Sequence, residues 1–119
     1  MKCILKCAFG LTCFEMDVYI AVLRRPGSSV DEIAERLEKD KSAVYKALQN
    51  LMRRGFVARE YRILKNGGYK YIYKPTPFEE FRREVLKSIN EWSKALVATL
   101  DEIRAMKEDD FVKTLTPEK

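Results

Sequence analysis

The sequence has no histidine, only five glycines among 119 residues, and no long apolar run. Without histidine, the chain lacks the commonest general acid–base group and the commonest metal ligand. The glycines stand singly or as one pair and form no phosphate-binding loop. No apolar run approaches the roughly 20 residues that cross a bilayer, and Lys6 interrupts any signal-like N-terminus. These absences predict a cytoplasmic protein that is not an enzyme, needs no cofactor or metal, and does not enter a membrane.

The positive charge is concentrated in the middle of the chain. The formal net charge is only +5, but residues 41–75 carry nine lysines and arginines against one glutamate, a net charge of +8. The flanking segments 1–40 and 76–119 carry net charges of −1 and −2. A local excess of this kind favours a surface that binds a polyanion. The length fits one domain with at most an appended element.

Three Ser/Thr-x-x-Glu sequences predict helix starts, because each side chain can accept a hydrogen bond from a backbone N–H three residues on. They begin at Thr12, Ser29 and Thr76. Asp40 is a further predicted N-cap and Gly55 a predicted left-handed residue at a helix end. A short N-terminal helix is predicted over residues 2–9, and the third helix of the following domain over 41–54.

After this third helix the apolar period changes to two, which predicts a β-hairpin over 56–74 with its turn at 65–68. Alternation places Tyr69, Tyr71 and Tyr73 on one face of the returning strand, with Lys70, Ile72 and Lys74 on the other. The tyrosines are interpreted as packing residues, and a base-stacking platform is the alternative.

A long helix is predicted over 76–107, followed by a polar tail over 108–119. Its apolar residues follow a near-heptad spacing, which indicates pairing with a second helix. The chain offers no other helix of that length, so we expect a homodimer with parallel or antiparallel helices, and a ligand cleft beside Trp92 is the alternative. The predicted interface is Val85, Ile89, Trp92, Leu96, Thr99, Ile103 and Met106.

The order of two helices, a basic helix and a hairpin predicts a winged helix-turn-helix domain over 1–75, an α+β fold that is mainly helical. The third helix is expected in the major groove of double-stranded DNA, with the hairpin on the backbone or in the minor groove. Basic side chains would supply affinity. The register on the DNA and the reading of bases would come from Ser42, Tyr45, Gln49 and Asn50. The candidate DNA-binding residues are Lys41, Ser42, Tyr45, Lys46, Gln49, Asn50, Arg53, Arg59, Arg62, Lys65 and Lys70.

Four segments carry a resemblance to a known family: residues 29–37, 41–51, 54–60 and 67–73. They resemble the archaeal TrmB-like winged-helix regulators and, more distantly, the MarR-type proteins. The resemblance implies a homodimeric transcriptional regulator whose third helix binds DNA. Full-length TrmB proteins carry a C-terminal sugar-binding domain, and this chain is similar to the short members without it. The sequence does not identify an effector ligand.

Two features leave alternatives open. The charged face of the third helix is also compatible with a merely solvated surface, and the fold with a winged-helix adaptor that binds another protein without reading DNA. Cys3, Cys7 and Cys13 are interpreted first as small buried hydrophobic residues. Redox sensing or an intersubunit disulfide is the second interpretation, and a metal site shared across a dimer is the third.

Overall fold

The computed structural model describes residues 1–116 of the chain. In this part, six helices and one antiparallel pair of strands follow one another in the order that the sequence predicts up to residue 105, which confirms the mainly helical α+β class. The elements are α1 (Lys2–Phe9), α2 (Cys13–Arg24), α3 (Val30–Leu37), α4 (Lys41–Arg53), β1 (Val57–Ile63), β2 (Tyr69–Pro75), α5 (Phe78–Ala105) and α6 (Glu108–Leu115).

Local hydrogen bonds explain most of the helix boundaries. Thr12 accepts a bond from the backbone of Glu15, whose side chain accepts one from the backbone of Thr12, so the capping box predicted at α2 is present. Ser29 caps α3 and Asp40 caps α4 through their side-chain oxygens. Gly55 follows α4 with a φ of 81°, the left-handed conformation expected there.

The capping box predicted at Thr76 is wrong. Helix α5 begins two residues later, at Phe78, with Pro77 at the N-cap and no side-chain cap. The backbone N–H of Thr76 donates to the carbonyl of Phe56 at 3.0 Å. This bond to the residue before β1 holds Thr76 as an extension of the hairpin, so it does not open a helix.

The hydrophobic core lies between α2, α3, α4 and the base of the hairpin. Helices α2 and α4 contribute fully buried aliphatic side chains at helical spacing, as the amphipathic patterns predict, and α3 contributes one. Phe56 and Tyr73 close the core from the hairpin, at 0% and 1% exposure. The fully buried aliphatic residues in this core are Val18, Val22, Ile33, Val44, Leu48 and Leu51.

The hairpin pairs Val57 with Pro75 at its base and Ile63 with Tyr69 at its tip. A bridge between Ser28 and Tyr73 adds a short third segment on the free edge of β2. Paired residues share a face, so the predicted alternation along β2 is confirmed. Burial does not follow it, because Ile72 and Tyr73 are both buried although they lie on opposite faces.

Helix α5 is 28 residues long, which corresponds to about 42 Å at 1.5 Å per residue. It contains no buried residue, and α1 packs against it. The predicted bounds of 76–107 are therefore slightly too wide, and Met106 follows the helix as its C-cap.

The predicted polar tail from residue 108 has regular structure within the described residues. Residues Glu108–Leu115 form α6, whose first turn carries three acidic side chains. Negative charge there stabilises a helix because it faces the positive end of the helix dipole. Residues 117–119 of the predicted tail lie outside the described part of the chain.

Candidate nucleic-acid interface

The exposed face of α4 carries a stripe of polar side chains directly opposite its buried face. Ser42, Lys46, Gln49 and Arg53 follow one another at intervals of four, three and four residues, the spacing that keeps side chains on one face of a helix. We call these four residues the α4 stripe. Ser42, Lys46 and Arg53 are exposed and Gln49 is half-buried. The tertiary fold therefore leaves a straight row of hydrogen-bonding and cationic groups on the surface.

Asn50 does not belong to this stripe. Its side-chain amide donates a 2.6 Å hydrogen bond to Oε2 of Glu15 on α2, and the pair is partly buried. The other oxygen of Glu15 accepts from the backbone N–H of Thr12. One carboxylate thus joins the start of α2 to the later part of α4, and the Asn50 amide is committed to a contact within the domain.

A groove of about 580 Å³ runs beside the stripe, between the first turns of α3 and α4 and strand β2. Tyr45, at 46% exposure, lies in it together with Lys46 and Tyr71. The groove runs without interruption from the α4 stripe to the hairpin. Its lining is completed by Ser29, Val30, Asp31, Lys41, Ser42, Lys70 and Tyr73.

Two candidate lysines at this groove are paired with acidic residues of α3. Lys41 lies 3.3 Å from Asp31, and Lys70 lies 3.5 Å from Glu32. Burial alone would raise the pKa of Glu32, but hydrogen bonds from Ser29 and the charge of Lys70 outweigh it and lower that pKa. Exposed pairs of this kind are worth about 0–1 kcal/mol each. They reduce the positive charge that the two lysines present without holding them firmly.

Among the remaining cations of residues 41–75, one has an acidic partner and the others have none within the described residues. Lys74 pairs with Glu60 at 3.2 Å. Within the described residues, five of the predicted site cations have no acidic partner: Lys46, Arg53, Arg59, Arg62 and Lys65. Arg54, which is not among the candidate residues, is also exposed and has no acidic partner among the described residues. Its guanidinium lies beside Gly10 and not on the α4 stripe. The surface that presents unpaired positive charge is therefore smaller than the net charge of +8 for residues 41–75 indicates.

Two of the hairpin's free cations, Arg62 and Lys65, lie on an acid-free stretch, since no acidic residue occurs from position 61 to 78, whereas Arg59 directly precedes Glu60. The guanidinium of Arg59 lies over the ring of Tyr71, 4.1 Å from its centre. Arg62 lies opposite Lys70 in the strand register, and Lys65 lies in the turn. Burial raises the pKa of Tyr73, although the neighbouring Arg59 opposes the shift.

The predicted interface residues on α5 share one long apolar face. Val85, Ile89 and Trp92 are half-buried, whereas Leu96 and Ile103 are about half exposed, at 45% and 48%. The face is wider than predicted, because three flanking residues that the heptad spacing does not select are also exposed. These are Leu86, Val97 and Leu100, at 61%, 55% and 53%.

The three cysteines are free and exposed, so their interpretation as small buried hydrophobic residues is wrong. The exposure of Cys3 and Cys7 follows from α1, which contains no buried residue. The ammonium group of Lys6 donates a 3.0 Å hydrogen bond to Sγ of Cys13, the first residue of α2. This contact raises the pKa of Lys6. Among the described residues, no cluster of three potential ligands is placed to hold a metal ion.

Comparison with known proteins places the chain among regulators. A family model described as "Sugar-specific transcriptional regulator TrmB" matches residues 5–79. An uncharacterised protein of Methanocaldococcus jannaschii is 36% identical over 100 residues, covering 84% of this chain and 76% of that protein. None of the helices in residues 1–116 has the length and apolar character of a membrane span.

Solved structures agree with the family match. A possible transcriptional regulator from Methanosarcina mazei Go1 superposes with a TM-score of 0.70 at 29% identity, covering 83% of this chain and 84% of that one. The MarR protein of Staphylococcus aureus superposes with a TM-score of 0.52 at 17% identity, covering 94% of this chain and 71% of that one, which is a likeness of fold alone. The predicted resemblance and the winged-helix fold are confirmed, and the matches are to regulators and not to enzymes.

Proposed function

Because the chain belongs to the TrmB family of transcriptional regulators, we propose that it binds double-stranded DNA sequence-specifically, as a homodimer. In this proposal α4 enters the major groove and the hairpin contacts the backbone or the minor groove. One observation carries it: the α4 stripe and the hairpin, which has no acidic residue beyond Glu60, present free cations on two surfaces joined by one groove. A cytoplasmic location goes with this function.

The α4 stripe has the chemistry that base and phosphate contacts require. A helix about 10–12 Å wide fits the major groove, which is about 12 Å wide. Gln49 can pair with the two hydrogen-bonding groups on an adenine edge, while Lys46 and Arg53 can reach guanine or phosphate. Ser42 lies in the first turn of α4, where the helix dipole favours a phosphate. We propose Lys41 and Lys70 as secondary phosphate contacts, because each must first leave its α3 carboxylate.

The apolar face of α5 supports the homodimer. Its N-terminal part is partly covered, since α1 packs against α5 and Val85, Ile89 and Trp92 are half-buried. From Leu96 to Ile103 the apolar side chains are exposed within the described chain, and extended apolar faces are typical of association surfaces. A two-fold axis through paired α5 helices would place two copies of α4 on one side of the DNA. The bound site should then be pseudo-palindromic, with half-sites about 34 Å apart or a multiple of it.

The test is the salt dependence of affinity for duplexes selected from a random pool. We expect log K to fall steeply with log salt concentration, because each neutralised phosphate contributes a slope of about −0.9. The double variant Lys46→Glu with Arg62→Glu should lose binding while the dimer persists. Lys87→Glu with Lys94→Glu is the matched control, because it changes the net charge equally on the polar side of α5. A flat salt plot would contradict the proposal.

The adaptor hypothesis predicts a different result from the same experiment. An adaptor does not need the unpaired cations of the α4 stripe, so DNA retention would be weak in the wild type and unchanged by Lys46→Glu with Arg62→Glu. For the dimer, Ile89→Asp with Leu96→Asp should give monomers in sedimentation. A dimer that survives both substitutions would show that the subunits associate through another surface.

Redox sensing is a second proposal, and it is favoured by the contact between Lys6 and Cys13. The Lys6 ammonium lies 3.0 Å from Sγ of Cys13, and all three thiols are exposed, so a dissolved oxidant can reach each of them. We expect DNA affinity to differ with and without reductant. Substituting all three cysteines by serine should abolish that difference, and equal wild-type affinity under both conditions would contradict the proposal.

A further inference from the structure

The hairpin carries three exposed tyrosines near its tip. Tyr61, Tyr69 and Tyr71 retain 65%, 59% and 40% of their full exposure. They share one face of the hairpin, since Tyr61 pairs with Tyr71 and Tyr69 occupies the next paired position on that face. Their ring centres are 5.5–6.5 Å apart with interplanar angles of 74–80°, an edge-to-face arrangement. We call these residues the hairpin tyrosine cluster.

This cluster is continuous with the recognition surface of α4. Tyr71 lines the groove that contains Tyr45 and Lys46, and it also lines the small depression that the three cluster rings enclose. Tyr73, on the same face but closer to the base, is buried in the core. The hairpin face that packs on the helices around Tyr73 therefore continues beyond those helices towards the hairpin tip, on the side where α4 begins.

The electrostatic surroundings of the cluster favour a polyanion over a protein or a second copy of the chain. Arg59 lies over Tyr71 on the same face, and Lys65 in the turn has no acidic partner among the described residues. Arg62 has none either, but it lies on the opposite face of the hairpin, beside Lys70. The 61–78 stretch contains no acid that would repel phosphates. The acidic, apolar surface of α5 offers no comparable concentration of positive charge.

The ring geometry indicates which part of the DNA is contacted. Successive bases stack on the faces of aromatic side chains, whereas these three rings meet edge to face and form no continuous parallel stack. Each ring nevertheless keeps 40–65% of its exposure. Ring edges pack on deoxyribose, and a phenol O–H donates to a phosphate oxygen.

We propose that the hairpin tyrosine cluster is a DNA-backbone contact surface beside the major-groove site, packing on sugars and donating hydrogen bonds to phosphates. The proposal rests on the DNA-binding function above and adds to it. Tyrosine carries no charge at neutral pH, so its contacts displace no counterion. The cluster should therefore contribute affinity that does not depend on salt, unlike the contribution of Arg62 and Lys65.

The experiment compares affinity for one selected duplex across salt concentrations. Tyr61→Ala with Tyr69→Ala should weaken binding about 10- to 100-fold at every salt concentration and leave the slope of log K unchanged. Tyr61→Phe with Tyr69→Phe, which removes only the hydroxyls, should give an intermediate loss. Arg62→Ala with Lys65→Ala should instead reduce the slope by about 1 per removed contact. Phe111→Ala, an exposed aromatic residue on α6, is the control and should change nothing.

The outcomes separate this proposal from the function it rests on. If the wild type retains no duplex, both fail. If the wild type binds and the alanine pair binds equally well, the tyrosine contact is refuted while DNA binding stands. The contact is also refuted if the alanine pair lowers the salt slope or loses the dimer instead of affinity, or if the wild type prefers single-stranded DNA. Both tyrosines are more than half exposed, so circular dichroism should report unchanged folding.

Discussion

Replacing Phe56 by alanine should destabilise the protein more than any other single truncation of an aromatic residue in the hairpin. Phe56 is fully buried, and three rings surround it edge-on: Phe9 of α1 at 4.9 Å, Tyr19 of α2 at 5.0 Å and Phe81 of α5 at 5.1 Å. Phenylalanine-to-alanine changes in a core cost about 3–5 kcal/mol. Edge-to-face pairs add about 0.5–1.5 kcal/mol each beyond burial, so we expect the upper part of that range.

A loss of about 4–5 kcal/mol would be a large share of the typical free energy of unfolding of about 5–15 kcal/mol. Urea unfolding, followed by circular dichroism and by the fluorescence of Trp92 on α5, measures it at fixed protomer concentration. Phe56→Leu keeps most of the volume and should cost only about 1–2 kcal/mol. Phe78→Ala, at 69% exposure, should cost less than about 0.5 kcal/mol. If Phe56→Ala costs under about 1.5 kcal/mol, the aromatic cluster does not hold α1 and α5 to the core.

Three further predictions concern the backbone and one titrating group. Thr12→Ala should cost about 1 kcal/mol in urea unfolding because it removes a formed cap, whereas Thr76→Ala should cost much less; equal losses would contradict the assignment. Glu38 has a φ of 54°, so Glu38→Gly should stabilise by about 1 kcal/mol, and a loss in thermal unfolding would speak against strain there. Burial raises the pKa of Tyr73 and favours its neutral form, so its contribution to stability is present below the ordinary tyrosine pKa of about 10 and is lost as pH rises through the folded-state pKa. Tyr73→Phe should therefore flatten the fall in stability above about pH 10, and an unchanged slope would refute this cause.

Local patterns in the sequence predicted the elements well where the deciding interaction is also local. Thr12 and Asp40 cap their helices through backbone groups two or three residues away, so the pattern contains both partners. Thr76 carries the same pattern as Thr12, but its backbone bonds to Phe56, twenty residues earlier. The pattern could not show that competitor, because it comes from the pairing of the hairpin with the core.

The same distinction between local and tertiary interactions applies to the candidate DNA-binding residues of α4. Helical spacing alone places Ser42, Lys46, Gln49 and Arg53 on the outer face of α4, because the apolar positions of the same helix define the opposite face. Spacing also placed Asn50 with them, at the edge of that face. Only the packing of α2 against α4 assigns its amide to a partner within the domain.

By itself, the sequence determined the winged-helix order of elements, the concentration of basic residues in the middle of the chain, and the apolar face of the long helix. Each depends on periodicity or composition, which the chain carries in any conformation. The tertiary structure decided which cations remain free and that the hairpin tyrosines join the groove beside α4. Lys41 meets Asp31, and Lys70 meets Glu32, across gaps of 10 and 38 residues. Such pairings depend on how separate elements pack together, and a pattern of neighbouring residues does not show which distant elements will meet.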